Sequence, residues 1–211
     1  MELNKYIDHT LLKADASIND IKTLCKEATE YNFKSVCVNP CNIEICKKEL
    51  LNTDVLVCCV IGFPLGAMSL ESKVFEAKDA ISRGADEIDM VLNIGRLKDS
   101  DLEYVTNEIK LVKQVCEGKI LKVIIETCLL SDEQIIDACK CVMNGHGDFV
   151  KTSTGFSFSG ATFEAVSLIK SIVKDKCLIK AAGGIKSHED LIKMIELGAN
   201  RIGTSSSLKI I

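Results

Sequence analysis

The sequence predicts a single α/β domain folded as a (β/α)8 TIM barrel. Three observations point there. Short, β-branched and almost wholly apolar runs occur eight times along the chain, helical apolar stripes fill the gaps, and the run starts lie roughly 20 to 35 residues apart, one strand–loop–helix unit each. Apolar runs without polar alternation are what a parallel sheet covered on both faces requires. A doubly wound open sheet is the alternative, since periodicity does not show closure; the count of eight favours the barrel.

The expected strands are Lys34–Asn39, Val55–Ile61, Asp86–Leu92, Ile120–Glu126, Asp148–Thr152, Cys177–Ala181 and Asn200–Thr204, with Tyr6–Thr10 as a weaker eighth. Between them, Ser17 and Asp20 have the spacing of a helix-opening capping box, followed by Ile21, Leu24, Cys25 and Ala28 on one face. Leu70, Val74, Ala77 and Ile81 form a second stripe, with Gly84 where a left-handed C-terminal cap falls. A third runs through Leu102, Val105, Ile109, Val112 and Cys116. Ser131 and Ser187 read as further N-caps, the latter opening Leu191, Met194 and Ile195.

Composition narrows the function. A chain of 211 residues with 47% hydrophobic and 27% charged residues can bury one core. Its formal net charge of −4 argues against nucleic acid as partner. The apolar stretch from Val55 to Phe63 is too short to span a membrane. The N-terminal segment has neither a basic nor an apolar secretory region, so a soluble, cytoplasmic protein is expected. The eleven cysteines sit inside apolar strand and helix patterns, with no Cys-x-x-Cys pair, and read as reduced core thiols. His9, His146 and His188 lie in no ligand-spaced motif, so neither metal nor cofactor is expected.

In a parallel barrel the chemistry collects at the C-terminal ends of the strands. Those ends carry Asp89 on strand four, Lys122 and Glu126 on strand five, Lys151 on strand six and Lys180 on strand seven. A lysine inside an apolar run needs a reason, because it is almost never fully buried without a partner. A single one could snorkel to solvent or pair with a carboxylate. Three, together with an aspartate at corresponding positions, favour chemistry. Lysine attacks a carbonyl only as the free amine, and burial beside a second ammonium favours that form. Lys151 and Lys180, on adjacent strands, supply such a pair, and Asp89 could shuttle protons through water. These are the parts of a class I aldolase.

Two further turns suit a phosphate. Ala181-Ala182-Gly183-Gly184 follows strand seven and Gly203-Thr204-Ser205-Ser206-Ser207 follows strand eight, the loops in which barrels commonly hold one. Either alone reads equally well as a capped strand-to-helix turn. Lys151-Thr152-Ser153-Thr154-Gly155 adds a third polar loop on the same rim.

At these residues the sequence resembles the deoxyribose-phosphate aldolase family. The matching segments run almost end to end: IDHTLL (7–12), VCVNP (36–40), VIGFPLGA (60–67), EIDMVLNIG (87–95), LKVIIET (121–127), VKTSTGF (150–156), IKAAGGI (179–185) and RIGTSS (201–206). The resemblance implies reversible cleavage of 2-deoxy-D-ribose 5-phosphate to D-glyceraldehyde 3-phosphate and acetaldehyde, within deoxyribonucleotide catabolism. It implies that Lys151 forms the Schiff base, that Asp89 and Lys180 exchange protons, and that Gly183, Gly184, Ser205 and Ser206 bind phosphate, joined by the amide of Gly155. Asp8 and Lys122 match residues lining the site, and Cys37 falls near it, read here as a core thiol. A homo-oligomer, dimer or tetramer, is also implied. Where family members carry further glycines this chain reads Ser157-Phe158-Ser159-Gly160, so a stiffer or reshaped loop is expected. A longer C-terminal tail closing over the substrate is not expected, the sequence ending at Ile211. Two rivals predict different behaviour. A carboxylate-based isomerase would keep its activity without Lys151, and a phosphosugar-binding barrel would bind without turnover.

Overall fold

Eight parallel strands close on themselves in chain order, each bonded to its sequence neighbours and the last to the first. They are β1 (Ile7–Leu11), β2 (Ser35–Val38), β3 (Leu56–Ile61), β4 (Glu87–Val91), β5 (Ile120–Ile124), β6 (Phe149–Lys151), β7 (Leu178–Ala182) and β8 (Arg201–Thr204). The computed structural model describes residues 2–211. All eight expected strands are present, six trimmed by a residue or two at their ends and β1 and β7 shifted by one residue, and β1 is as well paired as the rest. Closure rules out the open sheet.

Outside the barrel lie α1 (Ile18–Glu30), α2 (Ile43–Glu49), α3 (Leu70–Ser82), α4 (Ile94–Lys98), α5 (Leu102–Val115), α6 (Asp132–Asn144), α7 (Phe163–Val173), α8 (His188–Glu196) and α9 (Ser207–Ile210). Seven of these helices, all but α2 and α9, start at side chains that accept from backbone amides of the first turn: Ser17, Ser69, Asn93, Asp101, Ser131, Thr162 and Ser187. Ser17 with Asp20 and Ser131 with Gln134 form full capping boxes, each cap contributing about 1 kcal/mol. Gly84 takes φ +105, as a left-handed cap needs. Helices α2, α4 and α9 have too few turns to show a periodic stripe, and the sequence did not single them out.

Alternate strand residues face opposite sides, and the two sides differ in chemistry. Outward-facing Val36, Val57, Ile88, Leu121, Val123, Val150, Ile179 and Ile202 join the helix faces in one continuous apolar layer. Inside the barrel the apolar part is a small cluster of Leu12, Cys37, Cys58 and Val60, with Phe63 against it. Much of the rest of the lumen is charged, with Val91, Ile124 and Phe149 among the charges. All eleven cysteines are free thiols, and most are buried. Burial pushes Cys139 and Cys177 up to about 12, so they act as apolar packing.

Candidate active site

Asp89 is the hub. It stands at the centre of β4, not at its end, and Lys122 stands beside it in register at the centre of β5. Lys180 likewise stands at the centre of β7, so the strand-end placement expected of these three residues is corrected: they lie deeper in the lumen. Lys151, the last residue of β6, pairs in register with Lys180 of β7, and Lys180 with Arg201 of β8. Parallel register, with every second residue turned inward, brings these side chains to one point.

Asp89 Oδ2 accepts from both Lys151 Nζ and Lys180 Nζ, each at 2.7 Å. Its Oδ1 accepts from Lys122 Nζ at 2.8 Å and from the Cys58 thiol at 3.0 Å. Below the hub the charges continue. Lys122 Nζ lies 2.7 Å from Glu87 Oε2, and Arg201 donates to Glu87 through Nη2 at 3.1 Å. Arg201 Nη1 and Ser35 Oγ both donate to Asp8 Oδ1, at 2.6 and 2.7 Å. Lys180 Nζ lies 2.5 Å from Asp8 Oδ2, at an angle that gives an ion contact without a hydrogen bond.

Three carboxylates (Asp8, Glu87, Asp89) thus face four cations (Lys122, Lys151, Lys180, Arg201), leaving one positive charge in excess. All seven are buried. For Asp89, burial alone would raise the pKa; Lys122, Lys151 and Lys180 outweigh it and hold the carboxyl well below the usual range. Burial likewise opposes the Lys180 ammonium, but Asp8 and Asp89 hold its pKa above the ordinary lysine value. Lys122 behaves in the same way, through Asp89, Cys58 and Glu87. Lys122, Lys180 and Arg201 each contact at least two carboxylates; Lys151 contacts one and opens onto the barrel mouth.

The sequence argument set one ammonium against another, and the structure places a carboxylate oxygen between them. The positions where a cation could sit among Cys37, Cys58, Asp8, Glu87 and Asp89 are reached by lysine ammonium groups.

A cavity of about 280 Å³ opens from Lys151 to the rim and is lined by Thr154, Gly155, Gly183, Gly184, Ser205 and Ser206. Gly183 and Gly184 have φ +76 and +78, and Gly155 +82. Successive left-handed glycines turn their amides to one side, making a concave seat for an anion. The seat is braced by the loop after β6, through Gly160 and Ala161. A Cβ on Gly160 would lie 2.3 Å from the Gly183 carbonyl carbon, and Ala161 donates to the Gly183 carbonyl at 3.0 Å. The Ser206 amide is already given to Thr204 Oγ1 at 3.0 Å, so Ser206 offers a ligand its hydroxyl.

A family model described as DeoC/LacD family aldolase matches residues 3–209. The chain belongs to that family. It is 60% identical over 211 residues to the deoxyribose-phosphate aldolase of Finegoldia magna, covering 100% of this chain and 99% of the relative. It is 55% identical to that of Caldicellulosiruptor saccharolyticus, covering 100% and 97%. Among solved structures, the aldolase QR15 superposes with a TM-score of 0.96 at 40% identity, covering 100% of this chain and 94% of that one. The deoxyribose phosphate aldolase of Aeropyrum pernix, described as tetrameric, gives 0.92 at 33%, covering 99% and 88%.

In this member of the aldolase family, Lys151, Lys180, Asp89, Asp8 and Lys122 converge as a single network, and Gly155, Gly183, Gly184, Ser205 and Ser206 meet at one cavity. Glu126 stands apart from the lysines and accepts from the Thr154 amide and hydroxyl, steadying the loop after β6. Sequence reading missed Glu87, Arg201 and Cys58, and the cations Lys13 and Lys186 on the cavity rim. Glu87 carried a usable signal: it lies two residues before Asp89 on a strand, so both side chains point the same way.

Proposed function

We propose that this single-domain chain is a class I aldolase that reversibly cleaves 2-deoxy-D-ribose 5-phosphate into D-glyceraldehyde 3-phosphate and acetaldehyde. It would work in the cytoplasm as a homo-oligomer, without metal or cofactor. The observation that carries the reading is the pair of lysine amines bonded to one buried carboxylate oxygen at the floor of a cavity with an anion seat.

Lys151 is the nucleophile. It is the lumen lysine with a single carboxylate contact and the one that lines the cavity, so its Nζ is the amine placed to meet a carbonyl. Its Nζ adds to C1 of the open-chain aldehyde, and loss of water leaves a protonated imine. Removal of the C3 hydroxyl proton breaks C2–C3, and the imine nitrogen accepts the electron pair as an enamine. Protonation at C2 and hydrolysis release acetaldehyde. Asp89 links Lys151 to Lys180 through one oxygen, and so offers a path by which a proton travels between the amine and the Lys180 ammonium. Asp8 keeps Lys180 charged as the proton reservoir. Lys122 holds Asp89 Oδ1, leaving Oδ2 to the two amines. The amides of Gly155 and Gly184, with the Ser205 and Ser206 hydroxyls, hold the phosphate at the far end of the cavity, beside Gly183, whose own amide is given to the Gly203 carbonyl.

The test is reduction of the enzyme–substrate mixture with borohydride followed by mass spectrometry of the peptides. The adduct is expected on Lys151. A label on another lysine, or one that persists in Lys151→Ala, would refute the assignment.

A further inference from the structure

A side-chain relay, buried at Ser207 and His9 and partly exposed at Glu27, runs outward from the turn after β8. His9 stands on β1 with its ring 5.3 Å from that of Phe33, on the helix-facing side of the barrel. It is 5% exposed, and Ser207 is fully buried. His9 Nδ1 lies 2.8 Å from Ser207 Oγ, and Nε2 lies 2.8 Å from Glu27 Oε2 on α1.

The partners assign the tautomer. An ionised carboxylate only accepts, so Nε2 carries the hydrogen that Glu27 receives. Burial pushes the His9 pKa below its ordinary value against the pull of Glu27, so the ring is neutral and Nδ1 is an acceptor. Ser207 therefore donates to His9. The Ser207 hydroxyl also lies 3.3 Å from the Thr204 carbonyl, but one proton serves one acceptor and the His9 contact is shorter.

Ser207 does not line the cavity; Ser205 and Ser206, just before it, do. Ser205 is exposed and Ser206 half-buried. The segment is thus held by β8 on one side and by the buried Ser207 on the other.

We propose that His9, oriented by Glu27, is a positioning residue for the phosphate end of the substrate: it pegs Ser207 and so holds the Ser205 and Ser206 hydroxyls against the cavity. This rests on the reading of that turn as a phosphate grip. His9 does not line the Lys151 cavity; it shares a neighbouring cavity with Ser205, and its hydrogen bond to that turn goes to Ser207.

The experiment compares the full-length enzyme with His9→Ala and Ser207→Ala. It measures kcat and KM for 2-deoxy-D-ribose 5-phosphate and the competitive inhibition constant of inorganic phosphate. Loss of one buried hydrogen bond is expected to raise KM and the phosphate inhibition constant together, by roughly fivefold. The kcat and the borohydride label on Lys151 at saturating substrate are expected to stay as in wild type. A fall in kcat with phosphate inhibition unmoved, or no change in either, overturns the proposal. Ser207→Ala removes a single oxygen and decides the matter where His9→Ala does not fold. A wild-type enzyme that forms no Lys151 adduct sinks the aldolase reading instead, and phosphate binding to the wild type and the variants still reads the peg.

Discussion

Two buried ionic clusters in this molecule use the same kinds of side chain and are shifted in opposite directions. Between the sheet and the helices, Lys73 on α3 meets Glu108 on α5 at 2.6 Å, and both are fully buried. Inside the barrel, Asp89 meets Lys122, Lys151 and Lys180. In the isolated pair burial prevails: the Lys73 pKa is lowered and the Glu108 pKa raised, each toward its neutral form despite the partner. In the lumen the opposite charges prevail, driving Asp89 down and Lys122 and Lys180 up. The difference is the number of partners. One counter-ion does not repay the desolvation of a buried charge, whereas two or three do. A site that must hold protons at fixed addresses is therefore built from many charges, and a structural staple from two.

That contrast can be broken in several ways, beginning with the largest effect. Lys151→Ala is expected to lower kcat by on the order of 10⁴-fold or more, since the covalent route is lost. Its thermal midpoint should hold or rise, because the lumen loses its excess positive charge. A large drop in stability would show that Lys151 is structural, like Lys73.

Asp89→Asn should remove activity and stability together. It leaves three ammonium groups around a neutral amide, a loss of about 3–5 kcal/mol in denaturant unfolding. Lys73→Met should be milder, about 1–3 kcal/mol, because Glu108 already leans toward its neutral form and can take up a proton. Its kcat should stay within about twofold of wild type, as expected for a change outside the site. If Lys73→Met destabilised as much as Asp89→Asn, the partner-number argument would fail.

The smallest effect lies in the pH dependence of unfolding. A carboxylate depressed in the folded state stabilises above its unfolded pKa, so the Asp89 contribution should be lost as pH falls below 3.8. Raised lysines stabilise below their unfolded pKa, so Lys122 and Lys180 should release their contribution as pH climbs past 10.5. Asp89→Asn should weaken both dependences. Lys73→Met should leave both in place, and equal pH curves for the two variants would contradict the assignment.

Much of the site was legible in the sequence because its lysines sit in the wrong company. Lys122, Lys151 and Lys180 interrupt strands that are otherwise apolar, an arrangement that demands a buried partner. The partners themselves were harder to read. Arg201 opens β8 and reads as an ordinary strand-end cation, and Cys58 reads as packing. The peg on Ser207 was hidden for the same reason: a third serine in a polar turn looks like another hydroxyl donor, yet it faces His9 across the chain.

By itself the sequence determined the eight strands, the helix starts at Ser17, Ser131 and Ser187, and the three lysines that point inward. Propensity, capping and apolar period act between residues close in the chain, and a linear reading sees them. Only the tertiary structure decided that β1 closes against β8, so that Asp8 meets an arginine 193 positions away and a lysine on β7. It alone decided that one oxygen of Asp89 lies between Lys151 and Lys180. Coulomb forces in a water-poor lumen depend on ångströms through space, and the register that sets those distances exists only once the barrel is shut.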